Sequence, residues 1–163
     1  MIDRMISGAK LLAKKTQIPV AKPKRIVLVG GCFDVMHYGH LQYLKNAKKQ
    51  GDVLVVALEN DSFILAHKGR SPFHSQKQRA EMLLSLTCVD YVILLPTMRA
   101  DETYRALVDC VSPNVIAVTA GDPQSDKKAA YAKAVGAQFK IVNRIIEGLS
   151  SSTITTYARI VHD

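Results

Sequence analysis

Ile26-Val27-Leu28-Val29-Gly30-Gly31-Cys32-Phe33-Asp34-Val35-Met36-His37-Tyr38-Gly39-His40 is an apolar, partly β-branched run that breaks into glycines and then delivers two imidazoles. The run reads as a buried strand. The spacing beyond it predicts a helix from about Gly39, with Leu41, Leu44 and Ala47 on its core side. The first amides of such a helix have no partner within it, and its dipole is positive at that end. A strand, a glycine turn, two histidines and a helix start therefore form a site for an anion, most naturally a phosphate.

Outward from this stretch, apolar runs alternate with amphipathic ones. Strands are expected at Val53 to Leu58, Tyr91 to Leu95, Val115 to Val118 and Gln138 to Val142. Helices are expected at Gln76 to Leu86, Glu102 to Cys110, Lys127 to Val135 and Ser152 to Ile160. Short apolar strands separated by helices imply right-handed crossovers and an α/β fold: a parallel sheet with helices on both faces. Ligands of such sheets sit at the carboxyl ends of the strands.

The residues from Gly31 to His40 resemble the signature of the cytidylyltransferase-like nucleotidyltransferases, in which a glycine and Phe-Asp precede His-x-Gly-His. The resemblance extends over about residues 24 to 161 and implies a single Rossmann-like domain. It implies attack by a phosphorylated acceptor on the α-phosphate of a nucleoside triphosphate, with release of pyrophosphate. By that resemblance His37 and His40 contact the triphosphate and stabilise charge in the transition state, without a covalent intermediate. Gly31, Cys32, Phe33, Asp34 and Gly39 form the nucleotide-binding loop. Magnesium is expected to accompany the triphosphate.

Three further segments bear on the same site. Glu59-Asn60-Asp61-Ser62 leads into Lys68-Gly69-Arg70-Ser71-Pro72 and then Gln78-Arg79. A basic loop interrupted by Gly69 and Pro72 reads as a flexible lid over residues 60–75. The family has a lysine in this loop and an arginine at the start of the next helix, and Lys68 and Arg79 stand at those positions. Leu65 stands where some members have a second lysine. Glu147-Gly148-Leu149-Ser150-Ser151-Ser152-Thr153-Ile154 contains three hydroxyls ahead of an apolar segment, and Ser150 or Ser151 suits a helix N-cap. This segment also resembles a family element that holds the triphosphate, so Ser150, Ser151 and Ser152 join the nucleotide-binding set. Gly121-Asp122 follows a strand and is assigned there too. Heptose-phosphate relatives have Lys-Gly-Gly-Asp at this point, whereas the present chain reads Thr119-Ala120-Gly121-Asp122.

Within the family the chain is most similar to the branch that adenylylates a heptose 1-phosphate. Glycerol-3-phosphate cytidylyltransferases follow closely, and FAD synthetases of the archaeal type stay open. The rival from another class is a catalytically silent nucleotide- or RNA-binding module.

The chain has 163 residues, enough for one full core, and a formal net charge of +8. Seven basic residues within 1–25 oppose Asp3 alone and leave only +2 for the rest, so a general nucleic-acid surface is not indicated. Ile2, Met5, Ile6, Ala9, Leu12 and Ala13 share a helical face. An amphipathic helix over residues 2–16 is expected to dock on the domain, with a targeting or membrane-surface helix as the second reading. The expected division is residues 1–23 as a basic helix and linker and 24–163 as the nucleotidyltransferase domain. Cys32, Cys88 and Cys110 are odd in number, and neither a signal peptide nor an apolar run of membrane-spanning length is apparent, which favours a reduced cytoplasmic protein. Cys32 reads as a small packing residue. No metal site is expected, because His37 and His40 offer two ligands where zinc takes three or four. A homodimer is expected.

Overall fold

Ile26–Gly31, the strand of the opening stretch (β2), lies at the centre of a six-stranded parallel sheet. The structure, a computed structural model, describes residues 4–20, 24–144 and 153–154. Around β2 the chain runs β1 (Met5–Ser7), α1 (Gly8–Lys14), β2, α2 (Tyr38–Lys48), β3 (Val53–Leu58), α3 (Asp61–Lys68), α4 (Gln76–Leu84), β4 (Tyr91–Leu94), α5 (Asp101–Val111), β5 (Val115–Thr119), α6 (Ser125–Ala134) and β6 (Gln138–Asn143). The spatial order is β1-β4-β3-β2-β5-β6. The chain thus lays strands outward from β2 through β3 and β4, then returns to place β5 on the other side. The strand order reverses between β2 and β5, and a crevice opens there beyond the strand ends.

Period-two alternation divides the sheet residues between two cores. Leu28, Val55, Ala57, Ile93 and Ile116 face α1, α5 and α6, where they meet Leu11, Leu107, Val108 and Tyr131. Val27, Val29, Leu54, Val56, Leu58 and Val92 face α2 and α4, where they meet Tyr43, Leu44, Ala80 and Leu83. β3 is buried along its whole length, as a strand covered on both sides must be. Polar groups tie down the strand ends. The Gln76 side-chain amide donates to the carbonyls of Leu58 and Leu95, 2.9 Å each, clamping β3 to the end of β4.

The expected helix over residues 2–16 is not what forms. Met5–Ser7 is a strand that pairs in parallel with Val92–Leu94 of β4, and the helix begins at Gly8. Local amphipathicity lost here to the free backbone edge of β4, which a three-residue strand satisfies. The Ser7 hydroxyl then caps the amide of Lys10. Gly8 lies so close to β4 that a Cβ would stand 2.6 Å from the Leu94 carbonyl oxygen.

The second difference lies in the expected lid. Residues 61–68 are helical, capped at one end by Asn60, whose side chain accepts from the Phe63 amide at 2.8 Å, and ended by Gly69 in the left-handed conformation. The expected closing helix from Ser152 to Ile160 lies outside the described residues except for 153 and 154, which are helical. Among the described residues no helix is long and apolar enough to cross a membrane.

Candidate active site

The loop from Gly31 to His37 carries backbone strain. Phe33 and Val35 have φ of 47° and 56°, a region that a β-branched residue almost never adopts. Asp34, between them, supplies the restraint. Its carboxylate has no exposure, pairs with Arg70 at 2.9 Å and accepts from the Phe73 amide at 2.9 Å. The Phe33 ring packs between Tyr43 and His40. A Cβ at Gly31 would stand 2.9 Å from that ring, so the glycine makes room for the turn.

This loop delivers the two histidines to the start of α2. His37 is the N-cap, and its Nδ1 accepts from the Gly39 amide at 3.1 Å. The neutral ring therefore carries its proton on Nε2, leaving that N–H as a donor. The ring of His40 stacks on that of His37 with centroids 3.8 Å apart, and His40 Nδ1 is buried with no hydrogen-bond partner among the described residues. Burial, the neighbouring His37 and the Lys68 charge hold His40 down to about 4. Burial, and then Lys68, lower His37 as well. Two neutral donors at a helix N-terminus suit an anion that brings its own charge.

Lys68 ends α3, and its charge acts on Cys32, His37 and His40. It has no hydrogen-bond or ion-pair partner among the described residues. Arg79 is placed otherwise. It is fully buried and bonds to the Cys32 carbonyl, to the His74 carbonyl at 3.1 Å and to Asp61 at 2.7 Å. Arg79 and Asp34 thus shape the loop from beneath, with side chains already committed to protein partners. Arg70, part of the basic loop read as a lid over residues 60–75, is the partner of Asp34. Burial pushes the Cys32 thiol up, which leaves it protonated and fits a packing role.

Two adjoining cavities open at the crevice between β2 and β5. The smaller, about 170 Å³, is bounded by Gly31, Cys32, Phe33, His40, Tyr43 and Asp122. The larger, about 720 Å³, runs between the sheet and α5; its floor includes Leu28, Ala57, Leu107 and Ile116. Gly30, Gly31, Cys32, Thr119 and Asp122 border both. Gly121 takes a left-handed φ of 77° in the turn after β5, and Asp122 pairs with Lys128 of α6 at 2.6 Å.

The structure therefore lines the two cavities with Gly31, Cys32, Phe33, His40, Gly121 and Asp122, while His37 joins them by stacking on His40, Gly39 by its bond to His37, and Lys68 by its charge on both rings. Ser150, Ser151 and Ser152 lie outside the described residues. Sequence reasoning missed Lys128, and it missed Glu59 as a member of the larger cavity's wall. Glu59 accepts from the Tyr104 hydroxyl at 3.0 Å and is raised by burial. The signal for Glu59 was its place just after β3, at the carboxyl edge where ligands bind. Lys128 had no local signal, because only the fold returns α6 to the end of β5. Among the described residues no group of three or more His, Cys, Asp or Glu could hold a metal ion.

Comparison with known proteins agrees with this geometry. The cytidylyltransferase-like family model matches residues 28–156, and the chain belongs to that family of nucleotidyltransferases. It is 37% identical over 138 residues to the bifunctional protein HldE of Aliarcobacter butzleri, covering 84% of this chain and 27% of that protein. The HldE of Pelobacter propionicus is 31% identical over 155 residues, or 93% of this chain and 30% of that protein. The chain thus spans less than a third of the length of these relatives. A solved lipopolysaccharide core biosynthesis protein from Thermoplasma volcanium superposes with a TM-score of 0.60 at 30% identity, over 76% of this chain and 97% of that one. Pantoate-beta-alanine ligase from Francisella tularensis shares the fold, with a TM-score of 0.55 at 15% identity over 98% of this chain and 78% of that one.

Proposed function

We propose that the protein is an adenylyltransferase that transfers AMP from ATP to a sugar phosphate of the heptose 1-phosphate type, releasing pyrophosphate. The carrying observation is the pair of adjoining cavities. A small polar one lies at the α2 N-terminus beside His40, and it shares a wall with a second large enough for an acceptor. The likeness to HldE proteins and to a lipopolysaccharide core biosynthesis protein supports a sugar phosphate as acceptor.

In this reading the triphosphate lies against the first amides of α2 and the Nε2 proton of His37. An oxygen of the acceptor's phosphate attacks the α-phosphorus. The bond from that phosphorus to the bridging oxygen breaks, and pyrophosphate carries away the electron pair. His37, His40, the helix amides and Lys68 are preorganised donors to the charge that develops on the phosphoryl oxygens. The chain's own contribution is position and electrostatics, and the protonated Cys32 takes no covalent part. Magnesium entering with the triphosphate would neutralise part of the phosphate charge.

Pyrophosphate release with ATP and with CTP, each crossed against heptose 1-phosphate, glycerol 3-phosphate and FMN, tests the reading. ATP with heptose 1-phosphate is expected to give the highest kcat/KM. A preference for CTP with glycerol 3-phosphate, or for ATP with FMN, would replace the proposed substrates. Release with none of the pairs would remove the enzymatic assignment.

A further inference from the structure

The reaction proposed above brings two anions together, the attacking phosphate and the α-phosphate. The wall at which they would meet presents a carboxylate: Asp122 borders both cavities. An uncompensated carboxylate there would repel both substrates. Position 119, the other polar side chain of that shared wall, is a threonine and brings no charge.

The missing cation comes from the following helix. Lys128, in the first turns of α6, places its ammonium 2.6 Å from Asp122 Oδ2. Its side chain is only 22% exposed, and it borders the larger cavity but not the smaller one. Its charge also reaches Glu59, at the end of β3 across the cavity. Asp122 is itself fixed, because Oδ1 accepts from the Gln124 amide at 2.8 Å. The aspartate is thus held by the turn and in turn holds the lysine. An ammonium has three donors, so one bond to Asp122 leaves two for other oxygens. The nearby cations are less confined. Lys127 is 62% exposed and stands 3.9 Å from Asp101, and Arg99 borders the same cavity without a hydrogen-bond or ion-pair partner among the described residues.

We propose that Lys128 receives the phosphate of the acceptor on the larger-cavity side of the shared wall, with Asp122 as the positioning residue that aims it. The inference rests on the nucleotidyl-transfer reading and adds the place where an anionic acceptor is held. Lys128 is then a determinant of acceptor affinity, whereas His37, His40 and the α2 amides hold the triphosphate.

Steady-state kinetics of pyrophosphate release with ATP and heptose 1-phosphate, or glycerol 3-phosphate where the wild type prefers it, tests this. Lys128→Ala is expected to raise the acceptor's KM by about tenfold or more, the scale of a lost charge-assisted hydrogen bond, with little change in the KM for ATP. Lys128→Arg is expected to restore much of the loss. Adding Asp122→Asn to Lys128→Ala is expected to recover part of it by removing the stranded carboxylate. A purely structural ion pair would lower the melting temperature without separating the two KM values, and that result would overturn the proposal. An unchanged acceptor KM, or a rise confined to ATP, would also overturn it. Failure of the wild type to release pyrophosphate with either acceptor would defeat the functional reading itself, and is distinguishable because it needs no variant.

Discussion

Arg70 reaches from the turn after α3 to Asp34 of the histidine loop, with its Nη1 2.9 Å from a carboxylate that has no solvent exposure. The pair joins two segments that are both needed at the crevice. Breaking a buried pair costs more when it leaves the buried member alone. Arg70→Ala is therefore expected to lower stability by about 3–5 kcal/mol. Asp34→Asn should cost less, because the asparagine keeps an acceptor for the Phe73 amide and the arginine can turn toward water. Urea unfolding of both variants measures the difference, and equal, small losses would contradict it.

Removing the imidazole of His37 or His40 is expected to cut turnover on the order of a hundredfold or more. That is the scale of one preorganised donor to transition-state charge, about 2.7–4 kcal/mol. Circular dichroism should show the fold retained. Near-normal turnover in both alanine variants would take this loop out of the reaction.

The depressed His40 has a consequence for stability. In the folded chain its pKa lies near 4, against an ordinary value of 6.5. Between these values the unfolded chain binds the proton more readily, so stability from this group is complete above pH 6.5 and is lost as the pH falls toward 4. His40→Asn is expected to flatten that part of the melting-temperature profile. An unchanged slope between the two proteins would assign the acid lability to other groups.

Lys68 is expected to act as a point charge on the phosphates. Lys68→Ala should lower turnover by on the order of tenfold or more, and Lys68→Arg should rescue it only in part, since a planar guanidinium places its charge in a wider fork. Full activity of Lys68→Ala would reduce the end of α3 to a surface feature.

Much of this molecule could be read from the chain because its signals are periodic and local. Val53–Leu58 is an unbroken apolar run and forms β3 with those bounds. The glycine turn and His37 lie where a strand must give way to a helix. Reading failed where a signal was short or the decisive partner distant. In α3 only Ile64 is buried, so its apolar period is too weak to mark it. Asn60 and Gly69, a cap at each end, were the overlooked clue. The strand Met5–Ser7 exists only because β4, more than eighty residues on, offers an unpaired edge. Asp34 and Arg79 stand at positions that the resemblance singles out, yet nothing local showed that both side chains face inward to protein partners. Lys128 is a surface lysine in sequence terms until α6 folds back to Asp122.

The division of the sheet into two cores has an evolutionary corollary. The histidine loop and α2 belong to one face, while the roomy cavity is carved against α5 and α6 on the other. Substitutions in α5 or α6 can reshape what the cavity admits without disturbing how α2 is seated, because a continuous layer of strands separates them. Recruitment of a new acceptor would then require changes to only one side of the molecule, with the chemistry inherited intact from the other.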